Sequence, residues 1–170
     1  MIVDLITIRD APKAFDFNIE PAQIDLDSET AKLSNMVRVQ GKIKKKIAQT
    51  DVEGEISAEV EIECARCLQP IKKNLDFPFN AAFVVPEFYT REKEAEINLN
   101  DLEVSIYEGD QINLSELARE QILLNLPEQV FCLEDCRGLC QKCSANRNLI
   151  DCNCDEKELD PRWAVLQNLK

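Results

Sequence analysis

The sequence predicts an α+β protein: an antiparallel sheet built around a long β-hairpin, with one helix and a cysteine-rich C-terminal segment. Three observations carry this. Ile56, Ala58, Val60 and Ile62 alternate strictly with Glu55, Ser57, Glu59, Glu61 and Glu63, the period of a half-buried strand. Leu117, Ala118, Ile122 and Leu124 recur at helical spacing behind Ser115. Six of the eight cysteines fall within the 23 residues from Cys132 to Cys154.

Taken in order, residues 1–34 hold short apolar stretches separated by acids. Phe15, Phe17 and Ile19 predict one face of an edge strand, and Pro12 and Pro21 keep the flanking segments short. An aromatic ligand-binding stripe is the functional alternative to plain packing. Val37, Val39, Ile43 and Ile47 continue a strand pattern. The intervening Arg38, Lys42, Lys44, Lys45 and Lys46 form the one basic run of an acidic chain. They are candidates for RNA or partner contact, against the plainer reading of a solvated, lysine-guarded sheet edge.

The strand ending at Glu63 leads directly into Cys64-Ala-Arg-Cys67. A second alternation, Lys73, Leu75, Phe77, Phe79, Ala81, Phe83 and Val85, follows Pro70 and places the Cys-x-x-Cys at the tip of a long hairpin. Residues 87–101 read as a polar loop, Val104 and Ile106 as a short apolar piece, and Tyr107-Glu-Gly109 as a turn. The helix near residues 115–126 is expected to start at a Ser115 cap with Glu116 in its first turn, and to end at Pro127. A short closing helix is expected from Asp160 as cap and Pro161 at the first helical position, with Trp163, Leu166 and Leu169 inward.

Composition restricts function. A chain of 170 residues can bury an ordinary core and does not need disulfides in its place. Asp4 stands where a signal peptide would carry Lys or Arg, and no apolar run reaches the roughly 20 residues of a membrane span. The expectation is therefore a cytoplasmic, membrane-free protein with reduced thiols. The net charge of -12 repels phosphate backbones overall, so nucleic-acid contact must be local or pass through a basic protein. Histidine is absent, which removes the commonest general base and every mixed Cys/His zinc pattern.

Dense thiols have three explanations: a disulfide framework, a redox centre or metal ligation. A redox Cys-x-x-Cys opens a helix after a strand, whereas Cys64 and Cys67 sit in a hairpin turn. Cys140-Gln-Lys-Cys143 is a second turn of the same chelating type, preceded by Gly138, and Cys152-x-Cys154 is a tighter pair than usual. Eight thiolates divide into two closed four-sulfur zinc sites. The partition expected is Cys64, Cys67, Cys132 and Cys136 for one, and Cys140, Cys143, Cys152 and Cys154 for the other. Residues 1–130 then form a mainly β domain with the Cys-x-x-Cys at its hairpin tip, and 131–170 a zinc-binding segment.

Cys64-Ala-Arg-Cys67-Leu, Tyr107-Glu-Gly, the run Asn113-Leu-Ser-Glu-Leu-Ala-Arg-Glu-Gln-Ile-Leu-Leu-Asn-Leu-Pro127, Cys136-Arg-Gly-Leu-Cys140 and Asp160-Pro-Arg-Trp163 together resemble the YceD family. These are the large ribosomal RNA subunit accumulation proteins of bacteria and chloroplasts. The likeness runs from about residue 50 to the C-terminus. Ser144 departs from it, standing where a Gly commonly follows the second cysteine, and the second site is expected to be less regular for it. The resemblance implies a role in the synthesis, processing or stability of large-subunit (23S) ribosomal RNA.

Two function classes follow. One is a non-enzymatic factor of large-subunit assembly, whose zinc ions fix a surface that docks on ribosomal RNA or a basic ribosomal protein, with no small-molecule substrate. The other is an enzyme, a thiol oxidoreductase or an RNA-processing nuclease. Against the second stand the missing histidines, the absence of a phosphate loop and the scattered carboxylates.

Overall fold

The structure is a computed structural model that describes residues 1–8, 11–28, 30–47, 49–84, 104–106 and 109–154. The predicted loop at 87–101, the Tyr107-Glu part of the predicted turn and the closing helix at Asp160–Trp163 lie outside the described residues.

The sheet grows outward from one hairpin. Strands β5 (Gln49–Glu63) and β6 (Pro70–Val84) pair antiparallel along their whole length, from Gln49 opposite Val84 to Glu63 opposite Pro70. The period-2 pattern sends Val52, Ile56, Ala58, Val60 and Ile62 to the buried face and Glu53, Glu55 and Glu63 outward. On the other flank of β5 lie β4 (Val37–Lys45) and, beyond it, β2 (Lys13–Ile19), which is an edge strand as expected, with Phe15 and Ile19 buried and Phe17 half-buried. The short β3 (Ala31–Leu33) pairs with the distal part of β5. Gly41 and Gly54 face one another where β4 crosses β5; a methyl group on Gly41 would stand 2.3 Å from the Glu53 carbonyl oxygen and 2.8 Å from the Phe15 ring.

Two points of the sheet depart from expectation. β7 (Val104–Ile106) runs parallel to β6, so the sheet is not wholly antiparallel. A parallel pair needs a long connection between its strands, and residues 85–103 supply that length. Ile47 does not continue β4: the strand stops at Lys45, and Ile47 is 98% exposed in the turn to β5.

A two-stranded ribbon, β1 (Ile2–Asp4) with β8 (Gln111–Asn113), leads into the helix α1 (Leu114–Leu124). The helix cap is Asn113, not Ser115: its side chain accepts from the N–H groups of Ser115 and Glu116 at 3.1 and 3.4 Å. Asn caps as well as Ser, and this leaves the Ser115 hydroxyl to accept from the N-terminal ammonium of Met1. Leu114, Leu117, Ala118 and Ile122 face inward, but Leu124, predicted inward, is 77% exposed in the last turn. Leu5, Ile112, Leu114 and Ile122 join Val37, Val39, Ile43, Val52, Ile56 and Val60 in one apolar core. Among the described residues no helix is long and apolar enough to cross a membrane.

Candidate metal centres

Past α1 the chain returns to the tip of the β5–β6 hairpin and gathers all eight cysteines into two groups of four, the grouping that their spacing suggests. Within each group the four Sγ atoms lie within 4.8 Å of one another. All eight are free thiols.

The first group is Cys64, Cys67, Cys132 and Cys136. The hairpin tip closes by the Cys64 N–H donating to the Gln69 carbonyl at 2.8 Å and the Leu68 N–H to the Cys64 carbonyl at 2.9 Å. Leu68 takes a φ of 59° to make that turn. The incoming segment is tied on by the Ala65 N–H donating to the Val130 carbonyl at 2.9 Å and by the Arg66 guanidinium donating to the Cys136 carbonyl at 3.0 Å. Arg66 also lies over the Phe131 ring at 4.4 Å. Cys64, Cys67 and Cys136 pack with Ile71 and Leu139 in a small satellite core.

The second group is Cys140, Cys143, Cys152 and Cys154. Its turn repeats the first and is not made less regular by Ser144, contrary to expectation: the Ser144 N–H donates to the Cys140 carbonyl at 2.9 Å, and Ser144 holds a φ of 56°, as Leu68 does at 59°. The Cys140 N–H donates to the Ala145 carbonyl, and Arg147 N–H to the Gly138 carbonyl, making a small hairpin around the turn. This group is more open than the first, with Cys143 and Cys154 exposed.

The donor set fits a tetrahedral thiophilic ion. An ion at the roughly 2.3 Å zinc–sulfur distance sets neighbouring sulfurs about 3.8 Å apart. Cys64 and Cys136 sulfurs are 3.8 Å apart and those of Cys67 and Cys132 3.4 Å apart, far beyond disulfide bonding. N–H groups surround the sulfurs as they do in thiolate sites: Arg66 and Cys132 N–H face the Cys64 sulfur at 3.5 and 3.4 Å, and the Asn148 amide donates to Cys136 at 3.2 Å.

Ionisation is divided within each group. Burial is the strongest single influence on Cys64 and opposes its charge, yet the N–H groups of Arg66, Cys67 and Cys132 bring its thiol down to about 6. The N–H groups of Cys143 and Lys142 bring Cys140 down to about 6 as well. Their neighbours move the other way: contact with Cys67 pushes Cys132 up to about 12, and contact with Cys143 pushes Cys154 up to about 12. Four thiols this close become four thiolates only when a cation offsets their mutual repulsion.

The basic run is not gathered into one patch. Arg38, Lys42 and Lys44 alternate onto the outward face of the sheet, Lys45 falls on the other face, and Lys46 is in the turn. Arg38 pairs with Asp16 at 2.9 Å, Lys42 with Glu53 at 2.6 Å and Lys46 with Asp51 at 2.5 Å. Lys44 stands opposite Asp51 in the ladder, and Lys45 donates to the Leu5 carbonyl at 3.2 Å. On α1, Arg119 is engaged by the Asp25 carbonyl, Asp27 and Glu116.

Three residues of the site escaped the sequence reading: Arg66, Asn148 and Leu68. Arg66 lies inside the first Cys-x-x-Cys but acts on carbonyls 68 and 70 positions away. Nothing local in the sequence marks the bond from Asn148 to Cys136. Leu68 follows a second cysteine as Ser144 does, and that parallel is the one available signal.

Comparison with known proteins places this arrangement. The family model described as large ribosomal RNA subunit accumulation protein YceD matches residues 52–170. The chain belongs to the YceD family. The match begins within β5 and takes in the rest of the hairpin and all eight cysteines. Among its relatives, the Bacillus subtilis protein YlbN is 29% identical over 157 residues, covering 91% of this chain and 86% of that protein. A Mycobacterium tuberculosis protein is 26% identical over 170 residues, covering 98% of this chain and 79% of its own length. Both alignments extend into the N-terminal third, ahead of the residues that the family model matches. The chloroplastic large ribosomal RNA subunit accumulation protein YCED homolog 1 of Arabidopsis thaliana is 33% identical over 63 residues, 37% of this chain and 20% of that protein. No solved structure matches the chain.

Proposed function

We propose that this YceD protein is a non-enzymatic factor in the synthesis, processing or stability of large-subunit ribosomal RNA, acting in assembly of the large subunit. Two zinc ions, one in each four-cysteine group, hold the hairpin tip and residues 132–154 as one rigid docking element. The observation that carries this reading is the convergence of the eight cysteines into two tetrahedral-sized groups within the part of the chain matched by the family model. The family description supplies the link to ribosomal RNA.

Bound zinc would supply charge compensation for four thiolates per site and cross-link the two segments. The chain's own groups do the rest: Arg66 clamps the Cys136 carbonyl, and the N–H groups of Arg66 and Cys132 stabilise thiolate at Cys64. A thiol oxidoreductase needs an accessible pair free of further ligands. Each Cys-x-x-Cys here instead has two more sulfurs within tetrahedral reach, which supports metal over redox chemistry.

Deleting the gene tests the assembly role. Large-subunit ribosomal RNA is expected to fall, or its precursor ends to persist, relative to the small subunit; unchanged levels and ends overturn the reading. Native mass spectrometry of protein purified without chelator tests the zinc, with two ions per chain expected and metal-free protein overturning it.

A further inference from the structure

A groove of about 330 Å³ opens beside the first cysteine group, where three separate parts of the chain meet: the approach to β3, the hairpin tip, and the segment after α1. Ile62, Ala65, Leu126, Pro127 and Val130 give it an apolar floor. Its charged lining residues are Glu63 and Glu128, both exposed, and among the described residues no Lys or Arg lines it. The walls are fixed to each other, Glu63 N–H donating to the Thr30 carbonyl at 3.0 Å and Ala65 N–H to the Val130 carbonyl at 2.9 Å. The groove is therefore formed before anything enters it, which lowers the ordering cost of binding.

Leu68 also lines this groove. Its φ of 59° is the left-handed conformation that glycine adopts freely and that costs a residue with a Cβ. Its side chain is nevertheless 55% exposed, so core packing does not explain a leucine there. The Cys-x-x-Cys turn sets this backbone, as it does at Ser144, but does not call for a leucine; an exposed apolar side chain beside a preformed apolar groove offers a contact.

We infer that this groove docks a segment of a separate basic protein, which inserts an apolar side chain against Leu68 and Val130 and sets flanking Lys or Arg residues against Glu63 and Glu128. The inference deepens the assembly-factor reading and rests on it for the source of the partner, a protein of the large ribosomal subunit. Charge complementarity selects the occupant. RNA would bring phosphates against two carboxylates in a chain of net charge -12, and the same groove of a second copy would bring carboxylates against carboxylates.

The test is an array of overlapping peptides tiling the proteins of the large ribosomal subunit, probed with the full zinc-loaded chain, beside a titration of the chain with labelled single-stranded RNA of mixed sequence and no peptide. Peptides with Leu, Ile or Phe between Lys or Arg are expected to bind, and the groove not to take up RNA. Leu68→Gly and the double variant Glu63→Lys/Glu128→Lys should each weaken binding by about tenfold or more. Both should keep their zinc, and Leu68→Gly should melt no lower than the parent, because glycine relieves the left-handed backbone. No binding peptide, unchanged binding by both variants, RNA binding to the chain that the groove variants alter, or a lowered melting point in Leu68→Gly overturns the inference. Complementing a deletion strain separates the two claims. If the variants bind no peptide yet restore ribosomal RNA, the groove inference falls and the assembly role stands; if the deletion has no ribosomal RNA defect, the assembly role falls whatever the array shows.

Discussion

Gly138 lies directly beneath the carbonyl of Arg66: a methyl group on its α-carbon would stand 2.9 Å from that oxygen. The same carbonyl accepts the Leu139 N–H at 3.1 Å, so this contact joins the hairpin tip to the chain between the two cysteine groups. Gly138 also has a φ of 71°. Gly138→Ala therefore meets two penalties, a left-handed backbone and a clash with main chain that cannot swing aside. A loss of about 2 to 3 kcal/mol is expected in chemical denaturation of the zinc-loaded protein. An unchanged midpoint would show that the two segments are not pressed together here.

The two cysteine groups should fail differently. Cys67 belongs to a group whose members come from the hairpin tip and from residues 132–136, closing a long loop. The other group draws all its members from 140–154. Cys67→Ser is expected to lower global stability by several kcal/mol, as loss of a structural zinc does. Cys143→Ser should loosen residues 137–154 and leave β5 and β6 protected. Hydrogen exchange reads the difference; equal, global loss of protection in both variants would contradict it.

Zinc binding should release protons at neutral pH. Burial pushes the Cys67 thiol up, contact with Cys140 pushes Cys152 up, and Cys132 and Cys154 stand at about 12. These four are protonated in the metal-free protein at pH 7 and must lose their protons to become ligands. Because the raised values favour the protonated, metal-free form, zinc affinity should rise with pH through the neutral range. Calorimetry in buffers of different ionisation enthalpy should find about four or more protons released per chain. Binding without proton release would mean the thiols were already ionised.

Much of this was legible in the sequence, and the misses have physical causes. Strands β5 and β6 were readable because each buries a single face. Ser144 was readable because turn chemistry is local: the position after a Cys-x-x-Cys turn takes positive φ whichever residue fills it. The basic run was harder. Alternation puts Lys44 and Lys45 on opposite faces, and where β4 ends, at Lys45 rather than past Ile47, is set by pairing with β5. Asn113 displaced Ser115 as cap because both residues cap well and the choice fell to β8, which ends at Asn113. Arg66 and Asn148 act across distances in sequence that no local pattern reports.

The basic run yields the last prediction, because its members do unlike work. Lys45 donates to the partly buried Leu5 carbonyl, and Lys45→Glu replaces a charged hydrogen bond with a carboxylate facing that oxygen; a loss of about 2 kcal/mol is expected. Lys44→Glu sets two acids opposite each other at Asp51 on an exposed ladder, which costs about 0.5 kcal/mol. Burial works against charge on Asp51, but Lys46 and Gln49 outweigh it and hold the carboxyl below its usual range. A carboxyl so lowered stabilises the fold above about pH 4 and loses that contribution as pH falls through its folded value. Lys46→Gln should therefore weaken the β4–β5 hairpin at neutral pH and narrow its advantage over acid conditions. Lys44→Glu combined with Arg38→Glu removes outward cations while sparing the bond from Lys45 to Leu5. Since Arg38, Lys42 and Lys46 are each paired with an acid, association with large-subunit precursors is expected to survive that double variant. Cosedimentation at low and high salt measures it; loss of association in the variant, with parent binding falling steeply as salt rises, would return the outward sheet face to the role of RNA contact.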